Sequence, residues 1–485
     1  MTKELRRLSI LMLAMFLALF VSTSWIQVVN ADTLARNPNN TRALYDSYEV
    51  QRGSIIASGA AIANSVPSDD VYSWQRVYVD GDMWAPVTGY INPALGAATG
   101  IEQAMNQELS GTAGAQFLAR IDRILTGQPP RGSNVELTLD AAVQRAAYDA
   151  LGDLEGAVIA IEPATGRVLA MVTSPSYDTN LLASHNTGEV NDVYDALNAD
   201  PTHPLFNRAI GGDLNPPGST FKLVVASAAL ASGDYTPQST LPNPASYQLP
   251  QSSSVVFNAS GGACGPGDTV TIADALRLSC NIPFAELAVQ LGDTAIREEA
   301  EKYGFNTSFT MPVDSTASSY PRGLDDPQTA LTGFGQGQVT ATPLQMAMVS
   351  AGIANEGVVM NPRMVDQVIG ADLSVEQTFD DTEFGRALDA DIAAELVAMM
   401  VANVNDGAAS GATIDGVDVG GKTGTAENGS DQPYTLWFTG FAPAENPEVA
   451  VAVVVEDGGG QGQSGSGNTI AAPIAKKVME AVLGR

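Results

Sequence analysis

An almost uninterrupted apolar stretch from Leu8 to Val29 decides on which side of a membrane most of this chain must fold. It has enough residues to cross a bilayer as one helix. Three basic residues precede it, and such residues mark the cytoplasmic side of a span. We therefore expect a cytoplasmic tail at residues 1–7, a transmembrane anchor at residues 8–29 and an exported remainder. Val29-Asn30-Ala31 also resembles a signal-peptidase site, so a cleaved signal is an alternative.

The charge balance argues against one class of function. The 485 residues carry 54 Asp and Glu against 24 Lys and Arg, and no basic run follows the N-terminus. Nucleic-acid binding depends on basic side chains that neutralise phosphates, so no nucleic-acid partner is expected. The histidines are His185 and His203 alone, which argues against most metal sites and against Ser-His-Asp catalysis.

Turn residues and strand patterns divide the exported part into two. Residues 33–134 are rich in Asn, Gly, Ala and Ser, which predicts a small N-terminal extracytoplasmic module of short strands and loops. Residues 135–485 begin with a strand, a helix and a β-hairpin, and they return to strands before a final helix. A sheet built from both ends of this segment, with helices around it, is an α+β fold whose terminal strands must pair. Helices are expected between these ends, near residues 219–231, 281–291, 342–355 and 389–404.

The two cysteines, Cys264 and Cys280, lie sixteen positions apart. In an exported protein such a pair suggests a disulfide. The alternative is that both are unrelated small residues of a core.

The stretch N-P-P-G-S-T-F-K, residues 215–222, places a hydroxyl and an amine three residues apart at the predicted start of a helix. Ser219 could simply cap orphan N–H groups of that helix. Lys222, however, is one of only six lysines and lies in an apolar stretch. Residues three apart share a helix face, so Lys222 could reach Ser219 Oγ. We expect Ser219 to cap the helix, and this stretch alone leaves open whether it is a nucleophile as well.

Two further motifs follow in order along the chain. Ser279-Cys280-Asn281 ends one segment, and Lys422-Thr423-Gly424 begins a predicted strand. Ser-x-x-Lys, Ser-x-Asn and Lys-Thr-Gly each occur by chance, but all three in this order behind an export segment form a specific pattern. G-F-G-Q-G-Q at residues 333–338 is not a dinucleotide-binding motif, because it follows no strand and lacks the last glycine.

This set of motifs resembles the penicillin-binding protein and serine β-lactamase superfamily, and within it the class B penicillin-binding proteins. The resemblance covers roughly residues 36–485, includes G-Q-G-Q-V-T-A-T-P-L-Q-M-A at 335–347 and W-F-T-G-F-A-P at 437–443, and is similar to the shorter members from high-GC Gram-positive bacteria. It implies a transpeptidase domain at residues 135–485, an antiparallel sheet flanked by helices, preceded by the transmembrane helix and the small module.

The resemblance implies a nucleophilic mechanism for four of the residues. Ser219 would attack a carbonyl, and Lys222 would be its base, since burial and the amine of Lys422 both disfavour a charged Lys222. Ser279 would relay the proton to the leaving group. Plain alternatives are a helix cap for Ser279 and a surface charge for Lys422.

The remaining motif residues would bind the substrate. The resemblance implies that Asn281 holds the peptide bond, with a simple turn residue as the alternative. The hydroxyls of Thr423 and Thr425 would take the terminal carboxylate, with Lys422 supplying the charge and Gly424 counted with them as substrate-binding. The backbone N–H groups of Ser219 and Thr425 would form an oxyanion hole. Residues in the segment 177–186, namely Tyr177, Asp178, His185 and Asn186, could line the cleft or only pack.

The activity implied by the resemblance is that of a peptidoglycan D,D-transpeptidase in the cytoplasmic membrane, anchored through residues 8–29, with an extracytoplasmic catalytic domain. It would form an acyl-enzyme with the D-Ala-D-Ala end of a donor stem peptide and pass it to an acceptor amine; β-lactam antibiotics would acylate the same serine. Membrane proteins of the division or elongation machinery are implied as partners, and no metal or cofactor is required. Alternatives are a D,D-carboxypeptidase or β-lactamase-type hydrolase, and a β-lactam sensor or non-catalytic scaffold.

Overall fold

The computed structural model describes residues 2–30, 34, 50–70, 72–92, 95–113, 131–259 and 261–485. Helix α1 spans Thr2–Ser24 and continues as a π-helical turn over Trp25–Val29. Its segment Lys3–Gln27 is long and apolar enough to cross a membrane, with a mean hydropathy of 2.1, and it is not buried inside the protein. The described part of the predicted tail and the anchor thus form one helix. Ala31 of the signal-peptidase pattern lies outside the described residues.

The N-terminal module contains helices as well as the predicted short strands. A buried ion-pair cluster holds it together: Arg52 Nε and Arg76 Nε donate to the Glu102 carboxylate at 2.8 and 2.6 Å. A carboxylate buried between two guanidinium groups satisfies its charge within the protein. The described elements are β1 Ile55–Ala57, β2 Ala60–Pro67, β3 Trp74–Tyr78, α2 Gly81–Thr88, β4 Ile91–Asn92, β5 Ala97–Ala98, α3 Gly100–Ala104 and α4 Asn106–Ser110.

One sheet connects this module to strands from later in the chain. Its order is β15-β14-β6-β1-β2-β3, where β6 is Asn134–Leu137, β14 is Val365–Ile369 and β15 is Val375–Thr378. Strand β6 pairs in parallel with β1 and antiparallel with β14. The expected domain boundary between residues 134 and 135 therefore falls within β6, a strand of a sheet to which both parts of the chain contribute.

The central sheet of the second segment has the order β17-β18-β19-β7-β8. Strands β7 and β19, from opposite ends of the segment, pair antiparallel with Val453 opposite Val158. All residues of β7, β18 and β19 are buried, which is typical of strands covered on both faces. The strands are β7 Gly156–Ile161, β8 Val168–Ser174, β17 Gly420–Ala426, β18 Thr435–Ala442 and β19 Val449–Val455.

Helices cover both faces of the central sheet. Helices α5 (Ala141–Leu151) and α15 (Ala472–Val482) pack on one face, and α13 (Pro343–Ala354) packs on the other. The predicted α+β fold, its paired terminal strands and its central helices are confirmed. The other helices are α6 Thr179–Ala183, α7 Thr187–Ala199, α8 Lys222–Ala231, α9 Ile272–Arg277, α10 Ile282–Leu291, α11 Asp293–Lys302, α12 Asp326–Thr332 and α14 Ala390–Asp406.

Short strand pairs complete the fold at its periphery. One of them, the β10–β11 pair, leads directly into the loop that borders Ser279-Cys280-Asn281. The pairs are β9 Thr240–Pro242 with β12 Thr269–Thr271, β10 Tyr247–Gln248 with β11 Val255–Val256, and β13 Val358–Met360 with β16 Glu383–Arg386.

Candidate active site

The turn that carries Ser219 is pressed against strand β17. It is a 3₁₀ turn, Gly218–Phe221, that continues into α8. Gly218 has φ +54°, and a Cβ on it would lie 3.2 Å from Ala426 N of β17. Only glycine adopts this backbone conformation without strain and fits against the strand. The Gly218 N–H donates to Gly335 O at 3.0 Å, and Trp437 Nε1 donates to Pro216 O at 3.0 Å, so the turn is fixed on both sides.

The expectation that Ser219 caps the helix is wrong. Ser219 lies inside the 3₁₀ turn, whose N-cap residue is Pro217, and no side chain caps this end. Pro217 O accepts a hydrogen bond from Thr220 Oγ1 at 2.6 Å. The local pattern of Pro-Gly followed by Ser is the same for a capped helix and for this tight turn, which is why the sequence suggested a cap. The Ser219 hydroxyl is therefore not used to cap the backbone.

Lys222 brings its amine to Ser219. Its Nζ lies 2.9 Å from Ser219 Oγ, 2.7 Å from Ser279 O and 2.9 Å from Asn281 Oδ1, and the side chain is fully buried. A neutral amine has two N–H donors and one lone pair. If the two N–H groups donate to the Ser279 carbonyl and the Asn281 amide oxygen, the lone pair remains for the Ser219 hydroxyl. The geometry thus suits a base that accepts the Ser219 proton.

Burial changes the titration of both lysines. It lowers the pKa of the Lys222 amine well below the ordinary 10.5, and the neighbouring charge of Lys422 lowers it further. Burial also lowers the pKa of Lys422, from 10.5 to about 7. A fully buried ammonium loses its hydration, so its neutral form is favoured. Lys222 is therefore the amine that gives up its proton first, and Lys422 is the one that keeps it longer.

We expect a bell-shaped pH dependence of acylation by penicillin. Lys222 must be neutral, so the rate is lost as the pH falls through its lowered pKa; Lys422 must be charged to bind a carboxylate, so the rate falls again above about 7. Second-order acylation rate constants, measured by stopped flow from about pH 5 to pH 10, test this. A rate that keeps rising to the upper end of this range, toward the ordinary lysine pKa of 10.5, would remove Lys222 from the role of base.

Ser279 connects the two lysines. Lys422 Nζ donates to Ser279 Oγ at 2.7 Å, and Lys222 Nζ lies 3.4 Å from the same oxygen. Ser279 follows α9 and has φ +61°, a left-handed conformation that is uncommon for serine. This backbone bend places its carbonyl against Lys222 and its hydroxyl against Lys422. A hydroxyl between two amines can accept a proton from one side and donate on the other.

Asn281 is placed by a residue that no motif indicated. Asn258 Oδ1 accepts from the N–H of Asn281 at 2.9 Å and from the N–H of Ile282 at 3.0 Å. Asn281 Nδ2 in turn donates to Phe257 O at 3.1 Å. Asn258 therefore holds the start of α10 in the way that an N-capping residue does. It lies in the loop after β11, and its only sequence signal was the turn-like composition of that loop.

Strand β17 supplies the opposite wall. Thr423 Oγ1 donates to Ala408 O at 2.9 Å, whereas Thr425 Oγ1 accepts from Gly467 N at 3.3 Å. The Thr425 O–H is thus left to donate into the cleft. A Cβ on Gly424 would lie 2.8 Å from Pro217 O and 3.0 Å from Trp437 Cβ, so this glycine lets the nucleophile turn approach the strand.

The structure thus brings together all eight predicted site residues. A cleft of about 710 Å³ is lined by Ser219, Ser279, Asn281, Thr423, Gly424 and Thr425, with Lys222 and Lys422 buried behind it. The cleft also contains residues that the sequence did not single out, namely Phe257, Asn258, Phe334, Gln336, Glu427, Tyr434 and Asn468. Among the described residues, no group of three or more His, Cys, Asp or Glu side chains could hold a metal ion.

The segment 177–186 does not line this cleft. Tyr177 lines a separate cavity of about 440 Å³. Asp178 accepts from Asn180 N at 2.9 Å as the N-cap of α6, and Asn186 is the N-cap of α7. His185 contacts Asp70 and packs against Tyr72. These side chains have the packing and capping roles that were the alternative.

The G-F-G-Q-G-Q segment also has a structural role. A Cβ on Gly335, which has φ +73°, would lie 1.9 Å from Gly218 O. Glycine is therefore required where this loop meets the nucleophile turn. The Gln336 side-chain amide next to it faces the backbone of Glu427. In the amide orientation that satisfies both groups, its oxygen accepts from Glu427 N at 2.8 Å and its nitrogen donates to Glu427 O at 3.3 Å.

The two cysteines form the expected disulfide, Cys264–Cys280. Cys280 lies between Ser279 and Asn281, and Asn243 holds Cys264 through hydrogen bonds to its N–H and its carbonyl at 2.7 and 3.0 Å. The disulfide thus ties the Ser-x-Asn turn to the loop before β12. In the chain-entropy description, closing a loop of about 15 residues contributes roughly 3 kcal/mol to stability.

We expect reduction of this disulfide to slow acylation by penicillin more than it lowers secondary-structure content. The reason is that both neighbours of Cys280 contact Lys222, whereas most of the sheet is far from the loop. Thiol titration of the denatured, unreduced protein should find no free thiol, and acylation rates should be compared with circular dichroism before and after reduction. Two free thiols, or equal loss of both signals, would contradict this role.

Comparison with known proteins agrees with this geometry. The model of the penicillin binding protein transpeptidase domain matches residues 156–480, and that of the penicillin binding protein A dimerisation domain matches residues 52–135. The peptidoglycan D,D-transpeptidase PbpA of Mycolicibacterium smegmatis is 40% identical over 492 residues, which cover 100% of this chain and 99% of that protein. PbpA of Mycobacterium tuberculosis is 38% identical, with 100% and 99% covered.

Solved structures give the same result. The ceftriaxone acyl-enzyme complex of penicillin-binding protein A from M. tuberculosis is similar with a TM-score of 0.87 at 38% identity, and it covers 90% of this chain and 100% of its own. The penicillin G acyl-enzyme complex of that protein has a TM-score of 0.85 at 37% identity, with the same coverage. The resemblance inferred from the motifs is thereby confirmed. The chain belongs to the penicillin-binding protein transpeptidase family, as one of its class B members.

Proposed function

We propose that this protein is a peptidoglycan D,D-transpeptidase that cross-links stem peptides through an acyl-enzyme on Ser219. The observation that carries the proposal is the buried Lys222 amine, 2.9 Å from Ser219 Oγ, beside a cleft with a second amine behind it. Peptidoglycan D,D-transpeptidase is also the activity named for the mycobacterial relatives that match the whole chain.

The first step is acylation. Ser219 Oγ attacks the carbonyl carbon between the two D-Ala residues of the donor, and its proton passes to Lys222 Nζ. The backbone N–H groups of Ser219 and Thr425 stabilise the negative charge that develops on the carbonyl oxygen. The C–N bond then breaks, and a proton reaches the departing D-Ala amine through Ser279 Oγ, which lies 2.7 Å from Lys422 Nζ.

The substrate is held by groups on both walls. Asn281 Nδ2 and the backbone of β17 hold the peptide bond in an extended conformation. The free Thr425 O–H binds the terminal carboxylate, the Thr423 O–H joins it by turning away from Ala408 O, and Lys422 supplies the positive charge. A carboxylate bound next to a buried ammonium also favours the charged form of that ammonium. Substrate binding thus keeps Lys422 protonated while Lys222 acts as base.

The second step distinguishes this function from hydrolysis. An acceptor amine attacks the acyl carbon, the C–N bond forms, and the C–O bond to Ser219 breaks as its oxygen regains a proton from the amine through Lys222. β-Lactams acylate Ser219 in the same first step. The M. tuberculosis structures with ceftriaxone and penicillin G are named as acyl-enzyme complexes, which supports β-lactam binding by this chain as well.

The protein acts outside the cytoplasm on a single membrane anchor. Helix α1 contains the apolar segment and the basic N-terminal residues that support this orientation. The expected organisation is a tail at residues 1–7, an anchor at 8–29, a module at 33–134 and a transpeptidase domain at 135–485. The match of residues 52–135 to a dimerisation domain and of 156–480 to a transpeptidase domain supports the division into a module and a transpeptidase domain. Membrane proteins of the division or elongation machinery are the proposed partners.

The amount of D-alanine released per protein molecule distinguishes an enzyme from a sensor. The full-length protein in detergent is mixed with an excess of stem pentapeptide ending in D-Ala-D-Ala, and free D-alanine is counted per protein molecule with and without an acceptor amine. A transpeptidase releases many equivalents, and more with the acceptor. Release of one equivalent or none would show that the chain is a sensor or a scaffold.

A further inference from the structure

Glu427 lies at the mouth of the cleft and has no role in the steps described above. It is exposed and follows the last residue of β17. Of the described residues that line the cleft, it is the only one with a carboxylate. We propose that Glu427 binds the ammonium group of the acceptor and so directs the acyl group to an amine rather than to water. This inference rests on the proposed transpeptidase function.

The position of Glu427 relative to Ser219 is fixed by the backbone. A Cβ on Gly218 would lie 3.2 Å from Ala426 N, so the residue before the nucleophile touches the residue before Glu427. Gln336 holds both backbone polar groups of Glu427, and its neighbour Gly335 accepts the hydrogen bond from Gly218 N at 3.0 Å. The chain segments that carry Ser219 and Glu427 are thus braced against each other by one loop.

The charge distribution around the cleft separates two kinds of ligand. Lys422 lies buried at the Ser279 side, where its ammonium attracts the donor's carboxylate. Glu427 provides the opposite charge on the open side, and among the described residues no ion pair within 4.0 Å engages it. An acceptor peptide carries a primary amine that is an ammonium at neutral pH. A carboxylate in the cleft that Ser219 also lines is the complementary group for that ammonium.

In the second step Glu427 binds the ammonium group of the acceptor but does not keep a proton from it. The bound ammonium loses one proton to solvent and becomes a neutral amine. The nitrogen then forms the C–N bond to the acyl carbon, the C–O bond to Ser219 breaks, and the second proton passes through Lys222 to Ser219 Oγ. Glu427 raises the local concentration of the acceptor and is unchanged at the end.

Variants of Glu427 test this assignment with two kinds of acceptor. The full-length protein is first acylated by a stem-peptide donor, and the ratio of amide to free-acid product is measured by mass spectrometry. With an ammonium acceptor, such as a stem peptide with a free side-chain amine, we expect Glu427→Gln to lower the ratio about 3- to 5-fold and Glu427→Lys to lower it further. With hydroxylamine, which is uncharged at neutral pH, both variants should match the unaltered protein.

Glu445→Gln is the matched control, because Glu445 is also exposed but lies in the β18–β19 connection, at the other end of the sheet from the cleft. Acylation by penicillin should be the same in all variants. Equal ratios in Glu427→Gln and the unaltered protein would overturn the inference, as would an equal loss with hydroxylamine or a slower first acylation. A decrease in the free-acid product instead of the amide product would show that Glu427 assists the attack of water and not of the amine. If the unaltered protein makes no hydroxamate and no amide, the proposed function itself is wrong and this inference with it.

Discussion

Ser219→Ala abolishes covalent labelling of the protein by a fluorescent penicillin. Ser219 is the only serine of this chain with a lysine three residues later, and its hydroxyl lies 2.9 Å from the amine of that lysine. Without the Oγ atom no ester can form. Labelling is measured by in-gel fluorescence after denaturation, which leaves only covalent adducts. The melting temperature should be unchanged, since alanine removes one atom from a side chain that packs at the cleft surface.

Ser232→Ala is the control for this experiment. Ser232 is exposed at the end of α8, the same helix that follows the nucleophile turn, and it has no lysine partner. This variant should label like the unaltered protein. Retained labelling of the Ser219 variant at normal stoichiometry would falsify the assignment of the nucleophile.

Lys222→Ala should slow acylation by about 10²- to 10⁴-fold, the usual contribution of a general base. The initial non-covalent binding of penicillin should change little, because Lys422, Thr423 and Thr425 provide the carboxylate site. Stopped-flow traces at several penicillin concentrations separate the two quantities. Because alanine leaves a cavity in the core, Lys222→Met should be tested as well; it keeps the volume and removes the amine.

Lys477→Ala is the matched control for the lysine variants, since Lys477 is exposed on α15. It should acylate at the unaltered rate. An undiminished rate in a folded Lys222→Met protein would exclude Lys222 as the base and move that role to Lys422, whose amine lies 2.7 Å from Ser279 Oγ.

The catalytic residues could be predicted from the sequence because each motif is local. A spacing of three residues places Lys222 next to Ser219 in any helix-like conformation. The two later motifs then need only to lie on elements that face this turn. The helix-cap interpretation failed for the same reason: Pro-Gly-Ser fits both a capped helix and the 3₁₀ turn Gly218–Phe221. The contact of Gly218 with β17, which is far away in the chain, decides which of the two structures forms.

The elements that the sequence missed are those defined by distant pairing. Strand β14, with the sequence V-D-Q-V-I, has no strong strand pattern of its own, and it exists because β6 pairs with it. Asn258 and Glu427 belong to no motif, and their roles depend on which loop lies beside them. The two buried lysines are the reverse case. Burying an amine is unfavourable unless it is hydrogen-bonded, so the presence of Lys222 in an apolar stretch was itself a signal of a functional site, whereas Lys422 was indicated by its motif.

The central claim is that an acyl group moves from a stem peptide through Ser219 to an amine. The most direct test is to incubate the full-length protein with a donor ending in D-Ala-D-Ala and an acceptor stem peptide. The masses of the products are then measured by mass spectrometry. We predict a product with the summed mass of donor and acceptor minus one alanine, absent with Ser219→Ala. Free acid of the donor as the only product, in the presence of acceptor, would contradict the account and identify a hydrolase.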